Sequence, residues 1–317
     1  MGDEQSKLIY DEPEKEINMW KAYFECFLMY IVIGVAGACS IIYLPLPSNT
    51  DGSSMLLSFL FADLVMTIVS YLFSFAMKNS SVYDAYWSVI PFYFLLAFGT
   101  LGDNLFHDWD ITSWLVFCVV NFWSWRLTFN WARQWTGWMH EDWRYVDMRE
   151  EYGNTFELIN FAGIHLFPTI LVFGGCVPLF CVYSKRANVS NPYMITLLVI
   201  GLLMSFCATC IQGIADNQLI EFRRRPNPQK GEILESGLWA IIRNPNYFGE
   251  MMFWWGLALC GLACDHAAYY SVIGAVAITA LFVCISVPLK ETRMAIHRTD
   301  WDGYCKRVPT ALIPGIY

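Results

Sequence analysis

Asn246 and Glu250 stand four residues apart just past a helix-start signal, Asn244-Pro245, so a helix begun there carries both side chains on one face. Asn244 reads as the N-cap, and Pro245 at the first helical position gives up an N–H that has no intrahelical partner anyway. Gly249 removes a side chain beside them and permits close approach of another group. Backbone N–H groups and the helix dipole at such a start favour an anion such as phosphate. Arg223, Arg224 and Arg225 precede it and would add charge-assisted hydrogen bonds to a pyrophosphate or 2′-phosphate. Each arginine alone reads as an anchor at a membrane surface; it is the cluster that points to phosphate.

Gln212, Asp216 and Arg223 fall at intervals of four and seven, forming one polar stripe that runs into this basic segment. The plain alternative is a helix end leaving a membrane. Arg126, Asn130 and Arg133 repeat the spacing among Trp123, Trp125, Trp131 and Trp135, as either an interfacial belt or a face closing over a ligand. Asp63 lies mid-run in SFLFADLVMT, where a carboxyl group is costly and reads as functional by default. Asp84 sits between Tyr83 and Tyr86, and a tyrosine or a protonated carboxylic acid can deliver a proton to a reacting group.

The elements that must hold these residues are membrane helices. The 317 residues are 56% hydrophobic, 17% aromatic and only 15% charged, too apolar for an ordinary soluble domain. Eight apolar spans are expected, near 23–45, 55–77, 87–101, 111–125, 156–184, 192–214, 248–264 and 267–289. The third, fourth and seventh are short, which predicts tilted or functional placements. Every lysine and arginine except Lys185 and Arg186 falls on one side of this arrangement, which puts both termini, the HEDWRY loop (His140 to Tyr145) and the turn at 223–232 together on the inner face.

Residues 1–22 form a polar acidic segment that fits no cleavable signal peptide, and residues 23–317 read as one membrane domain. A net charge of −8 with no basic stripe excludes nucleic-acid binding. The eleven cysteines show no paired zinc-ligand spacing, and Cys207-x-x-Cys210 reads as small apolar packing, so no metal site is expected. No strand followed by G-x-G-x-x-G occurs, so any nucleotide must bind among helices.

The stretch GLW followed by R-N-P-N-Y-F-G-E (Gly237 to Glu250) resembles the signature of the steroid 5-alpha-reductase-like membrane proteins, in the branch labelled a domain of unknown function. SVYDAYWSVIP (Ser81 to Pro91), RLTFNWAR (Arg126 to Arg133), HEDWRY, ADNQL (Ala215 to Leu219) and ISVPLKETR (Ile285 to Arg293) resemble it in the expected order, so the likeness covers 81–314. It implies an all-α polytopic bundle that binds NADPH and reduces a carbon-carbon double bond in a steroid, sterol or other isoprenoid lipid. Carried over residue by residue, it assigns NADPH to Asp216 and Arg223 of one helix and to Asn246 and Glu250 of the next. Tyr247 lies inside the same motif, Arg224 and Arg225 extend the phosphate patch, and the Arg126 and Asn130 face would close over the nicotinamide or the lipid.

For the proton donor the family's early-helix glutamate and tyrosine have no matched position here, and Asp84, Tyr86 and Asp63 are candidates on residue type alone. The chain departs from the pattern at Asn244, where the family usually carries histidine. The related S-adenosylmethionine-dependent methyltransferases favour the same histidine, so Asn244 counts against that reading. That reading stands third; the alternative to the reductase is a non-catalytic, lipid-binding subunit of a membrane complex that keeps the fold. Family analogy points to the endoplasmic reticulum, with the mitochondrial inner membrane as the alternative.

Overall fold

The computed structural model describes residues 18–43, 53–101, 105–139, 141–183, 189, 191–226, 229–265 and 268–317. Most of the acidic N-terminal segment (1–17), His140, Lys185, Arg186 and Pro228 lie outside the described residues. Among the described residues the regular elements are all helices: α1 Met19–Tyr43, α2 Ser53–Met77, α3 Tyr86–Leu101, α4 Ile111–Ala132, α5 Trp143–Tyr152, α6 Phe156–Ile159, α7 Phe167–Tyr183, α8 Pro192–Arg224, α9 Pro245–Cys264, α10 Ile273–Leu281, α11 Val287–His297 and α12 Trp301–Arg307.

Seven stretches among the described residues are long and apolar enough to cross a membrane, and several merge neighbouring elements. A 3-10 turn at Ser80–Tyr83 lengthens α3 to a 22-residue stretch, and α9 reaches 20 residues because it starts at Pro245. A π-helical segment, Asn160–Leu166, joins α6 to α7; another, Phe282–Ser286, joins α10 to α11 just ahead of Pro288. Proline supplies no N–H, and a π turn is one way for a helix to absorb that loss without ending.

Helix α4 falls outside those seven, yet its two ends contact opposite ends of the bundle. The Tyr23 hydroxyl at the start of α1 donates to the Ala132 carbonyl at 2.7 Å, while the Tyr183 hydroxyl at the end of α7 donates to the Ser113 carbonyl at 2.9 Å. Among the described residues, α4 thus runs the length of the bundle beside the seven candidate spans.

One end of this bundle gathers the polar loops. Asn79 Nδ2 donates to the Trp138 carbonyl at 2.9 Å, Arg224 to the Arg133 carbonyl at 3.0 Å, and Arg293 pairs with Asp147 at 2.8 Å. The C-terminal tail joins them, with the Arg243 N–H donating to the Thr310 carbonyl at 3.0 Å. The start of α1, the loop after α4, the turn after α8 and the tail therefore share a face. Phe24, Phe27, Leu72 and Leu203 are among the large side chains left exposed along the shafts, as lipid-facing positions require.

Helices α8 and α9 form the tightest pair, and glycine makes it so. A Cβ on Gly256 would stand 2.7 Å from the Gly201 carbonyl oxygen and the Ser205 nitrogen. One on Gly249 would stand 2.7 Å from the Ala208 carbonyl oxygen, so the group whose approach Gly249 permits is the backbone of α8. Across α9 the Trp123 ring stacks on Phe253 with centroids 4.4 Å apart.

Candidate functional site

Where α8 and α9 diverge toward the polar face, a cavity of about 280 Å³ opens between them and α3, α4, α5 and the α10–α11 junction. Arg126 and Asn130 come from α4, Gln212 and Asp216 from α8, and Asn246, Tyr247 and Glu250 from the first turns of α9. Trp87, Arg144, Phe282 and Ser286 complete much of the wall.

Glu250 is the most heavily bonded group in it. Trp87 Nε1 donates to Oε1 at 2.8 Å and Trp254 Nε1 to the same oxygen at 3.1 Å. Trp123 Nε1 donates to Oε2 at 3.0 Å and Gln212 Nε2 to Oε2 at 2.8 Å. Four neutral donors thus hold a buried carboxylate whose geometry is fixed from three neighbouring helices and its own. The network continues from Gln212, whose Oε1 accepts from Arg126, to Asp216, which Arg126 Nη1 reaches at 2.7 Å. The Arg126 and Asp216 side chains are only 14% and 10% exposed, so this ion pair is poorly screened.

Two polar atoms beside this network are buried without a partner: Arg126 Nε, a donor, and Asn246 Oδ1, an acceptor. Buried polar atoms are nearly always satisfied, so such a pair in a cavity wall is where a polar ligand would bond. Tyr247 stacks obliquely on Phe282 at 5.0 Å, and the Lys290 ammonium lies over its ring at 5.0 Å.

Seven of the residues singled out in the sequence therefore line one cavity: Arg126, Asn130, Gln212, Asp216, Asn246, Tyr247 and Glu250. The arginine cluster divides. Arg223 is exposed on the last turn of α8; Arg224 is held by the Arg133 carbonyl; Arg225 pairs with Glu232 and lies over the Phe222 ring at 4.0 Å. Asn244 occupies the N-cap position, but its side chain makes no cap bond. Its Nδ2 donates instead to the Ala311 carbonyl at 2.9 Å, and Arg243 donates to the carbonyls of Val308 and Pro309, both at 2.8 Å. The tail thus covers the residues before α9, while the first turn of the helix still faces the cavity. Nearby, outside the membrane, burial holds the Tyr304 phenol well above its ordinary pKa, so it stays a donor to the Trp239 carbonyl, at 2.7 Å.

The three proton-donor candidates lie outside the cavity lining. Asp84 accepts from the Tyr145 hydroxyl at 2.7 Å and stands 3.8 Å from Arg144, which does line it. Asp63 and Tyr86 meet each other, with the Tyr86 hydroxyl donating to Asp63 Oδ1 at 2.8 Å in a second, fully buried polar cluster. Arg144 and the three indoles around Glu250 were not legible as site residues. HEDWRY carries alternating charges that pair as readily as they bind, and tryptophan in a membrane helix reads as interfacial.

In comparisons with known proteins, the chain is 28% identical over 169 residues to the mouse (Mus musculus) Delta(14)-sterol reductase TM7SF2, covering 48% of this chain and 39% of that protein. The Delta(14)-sterol reductase of Ascobolus immersus is 27% identical over 169 residues, 47% of this chain and 37% of that protein. A probable 7-dehydrocholesterol reductase of Acanthamoeba polyphaga mimivirus is 33% identical over 86 residues, 27% of this chain and 19% of that protein. The matched region thus spans about two fifths or less of these relatives. No solved structure matches the chain significantly. Residues 70–308 match the family described as Protein of unknown function (DUF1295), and the chain belongs to that family, within the steroid 5-alpha-reductase-like group.

Proposed function

We propose that this protein is a membrane-embedded, NADPH-dependent reductase of a carbon-carbon double bond in a sterol or related isoprenoid lipid. The observation that carries the reading is the convergence of Arg126, Asp216, Asn246 and Glu250, from three helices, on one cavity with a partnerless donor and a partnerless acceptor in its wall. Similarity to sterol reductases from a mammal, a fungus and a virus supports the reaction class.

The residues present fit one end of the cofactor. A cavity of about 280 Å³ lies at the lower edge of the ~300–1,000 Å³ usual for ligand sites, and so suits a nicotinamide and ribose with the phosphates outside. Asn246 Oδ1 and Arg126 Nε would bond the polar groups of that end. Asp216, held by Arg126, would orient a ribose hydroxyl. Arg223, exposed at the polar face, would meet the phosphates, and Arg224 and Arg225 would join it by exchanging their present partners.

NADPH supplies a hydride when bound. The chain's own part is to fix the double bond against it and give a proton to the second carbon. Glu250 is fixed by four donors, two on each oxygen, so it cannot swing and holds its part of the wall rigid. Asp84 positions Arg144 at the cavity through Tyr145 and its own charge. Tyr86, bonded to Asp63 in the buried cluster outside the cavity lining, would be the source of the proton, which would have to cross the cavity wall to reach the substrate. Family analogy alone would place this reaction in the endoplasmic reticulum membrane.

The tail packed over Arg243 and Asn244 favours a second reading, a subunit that keeps the fold and a bound lipid without turnover. Purified protein supplied with NADPH and sterols unsaturated in the B and D rings separates the two. Saturated product by mass spectrometry, matched by NADPH consumption, is the expected result. A native mass showing lipid alone, with no product, would favour the subunit.

A further inference from the structure

The polar groups on α2 extend well beyond Asp63. Asp63, Thr67, Ser70 and Ser74 follow at intervals of four, three and four, and all four are buried at 1% exposure or less. On the facing helix the π-helical segment brings Asn160 and His165 onto one side despite their five-residue spacing, with Thr169 one α-turn on. These three are also buried. Two polar stripes thus face each other along about 16 Å of α2, taking 1.5 Å per residue from Asp63 to Ser74.

The stripes are linked by hydroxyls at one end, Thr67 to Thr169, and at the other by Asn160 Nδ2 donating to Ser74 Oγ at 3.3 Å. From Asp63 Oδ1 the chain runs to the Tyr86 hydroxyl at 2.8 Å, to Thr67 Oγ1 at 3.3 Å, to Thr169 Oγ1 at 2.8 Å and to the Tyr83 hydroxyl at 2.7 Å. The His165 ring lies 4.8 Å from that of Tyr83, and its Nδ1 bonds the Asn160 carbonyl at 2.9 Å. Asn160 Nδ2 donates to Glu157 Oε2 at 3.0 Å, and Glu157, 38% exposed, pairs with Arg149 at the polar face.

Four atoms along this path are buried without a hydrogen-bond partner: Asp63 Oδ2, Ser70 Oγ, His165 Nε2 and Asn160 Oδ1. Each would cost free energy if left dry in a membrane interior, and each is a point along the seam where a bound water would find a hydrogen bond.

We propose that the seam between α2 and the Asn160–Thr169 segment holds a file of water and relays protons between Glu157 at the polar face and the carboxyl group of Asp63. Hydroxyls and imidazole pass a proton by accepting one and releasing another, so no net charge need remain inside. The proposal rests on the reductase reading only for what consumes the proton: each double bond reduced would take one from Tyr86 and Asp63, and the seam would restore it.

Infrared spectroscopy on the whole protein in lipid nanodiscs tests the seam without cofactor or substrate. The carboxyl stretching band of Asp63 is assigned by its loss in Asp63→Asn, or by its displacement in Asp63→Glu should the first not accumulate. On transfer to D₂O this band is expected to shift within the mixing time in wild type, and about tenfold more slowly in the near-isosteric double variant Thr67→Val/Thr169→Val. Ser70→Ala, a gentler change, should slow it in the same direction. A wild-type band that does not shift, an equal rate in the hydroxyl-deleted variants, or no Asp63 carboxyl band would overturn the proposal. Because exchange is read without turnover, a protein that reduces nothing can still pass this test.

Discussion

Trp87 on α3 donates its indole N–H to Glu250 on α9 across 2.8 Å, joining residues 163 apart in sequence. With Trp123, Trp254 and Gln212 on the same carboxylate, Glu250 ties α3, α4 and α8 to α9 before any ligand arrives.

Glu250→Gln should therefore be a stability variant first. The amide keeps one acceptor oxygen but turns N–H groups toward donors, leaving at least one buried indole N–H unbonded. The expected loss is about 1–3 kcal/mol, read as a lowered Tm in detergent. An unchanged Tm would show that the network holds nothing together.

Removing the charge from Asp216 tests a different link. Asp216→Asn leaves Arg126 buried with Gln212 as its neutral partner on α8's polar stripe, and breaking such a pair costs about 3 kcal/mol. Arg126→Met/Asp216→Leu should recover much of that stability, because a packed apolar pair replaces an unbalanced charge. Thermal unfolding of the single and double variants distinguishes coupled from independent effects.

The α8–α9 contact predicts a sharp response to one methyl group. Gly256→Ala would press a Cβ against the backbone of Gly201 and Ser205, forcing the helices apart at a cost of about 1–3 kcal/mol. Gly163→Ala, whose Cβ would meet only the Ile159 side chain at 3.7 Å, should leave Tm nearly unchanged. Equal effects at the two positions would contradict the packing described.

Local periodicity made much of this legible. The helix start follows from proline at the first helical position, Pro245, and the shared face of Asn246 and Glu250 and the stripe of Gln212 and Asp216 follow from a 3.6-residue repeat. The partners of those residues did not, because they come from distant helices: three tryptophans that look like interfacial residues, and a tail that takes Asn244 away from its capping role. Thr67, Ser70 and Ser74 carried a readable signal in their helical spacing from Asp63. Their partners on the far side depend on a π turn that no short-range pattern announces.

The arginine cluster allows a graded prediction. Arg223→Ala should weaken nucleotide binding more than Arg225→Ala, since Arg225 is already neutralised by Glu232. Losing one charge-assisted bond of about 1.5–3 kcal/mol corresponds to a roughly ten- to hundredfold loss for Arg223→Ala in a titration.

The most direct measurement is NADPH titration of the purified protein in nanodiscs, read by energy transfer from the indoles around Glu250 to the dihydronicotinamide. Saturable binding is expected, weakened about tenfold or more in Asn246→Ala and in Asp216→Ala variants that retain their fold. No saturable transfer at concentrations up to about 1 mM, equivalent to less than ~4 kcal/mol of binding free energy, would contradict the reductase account.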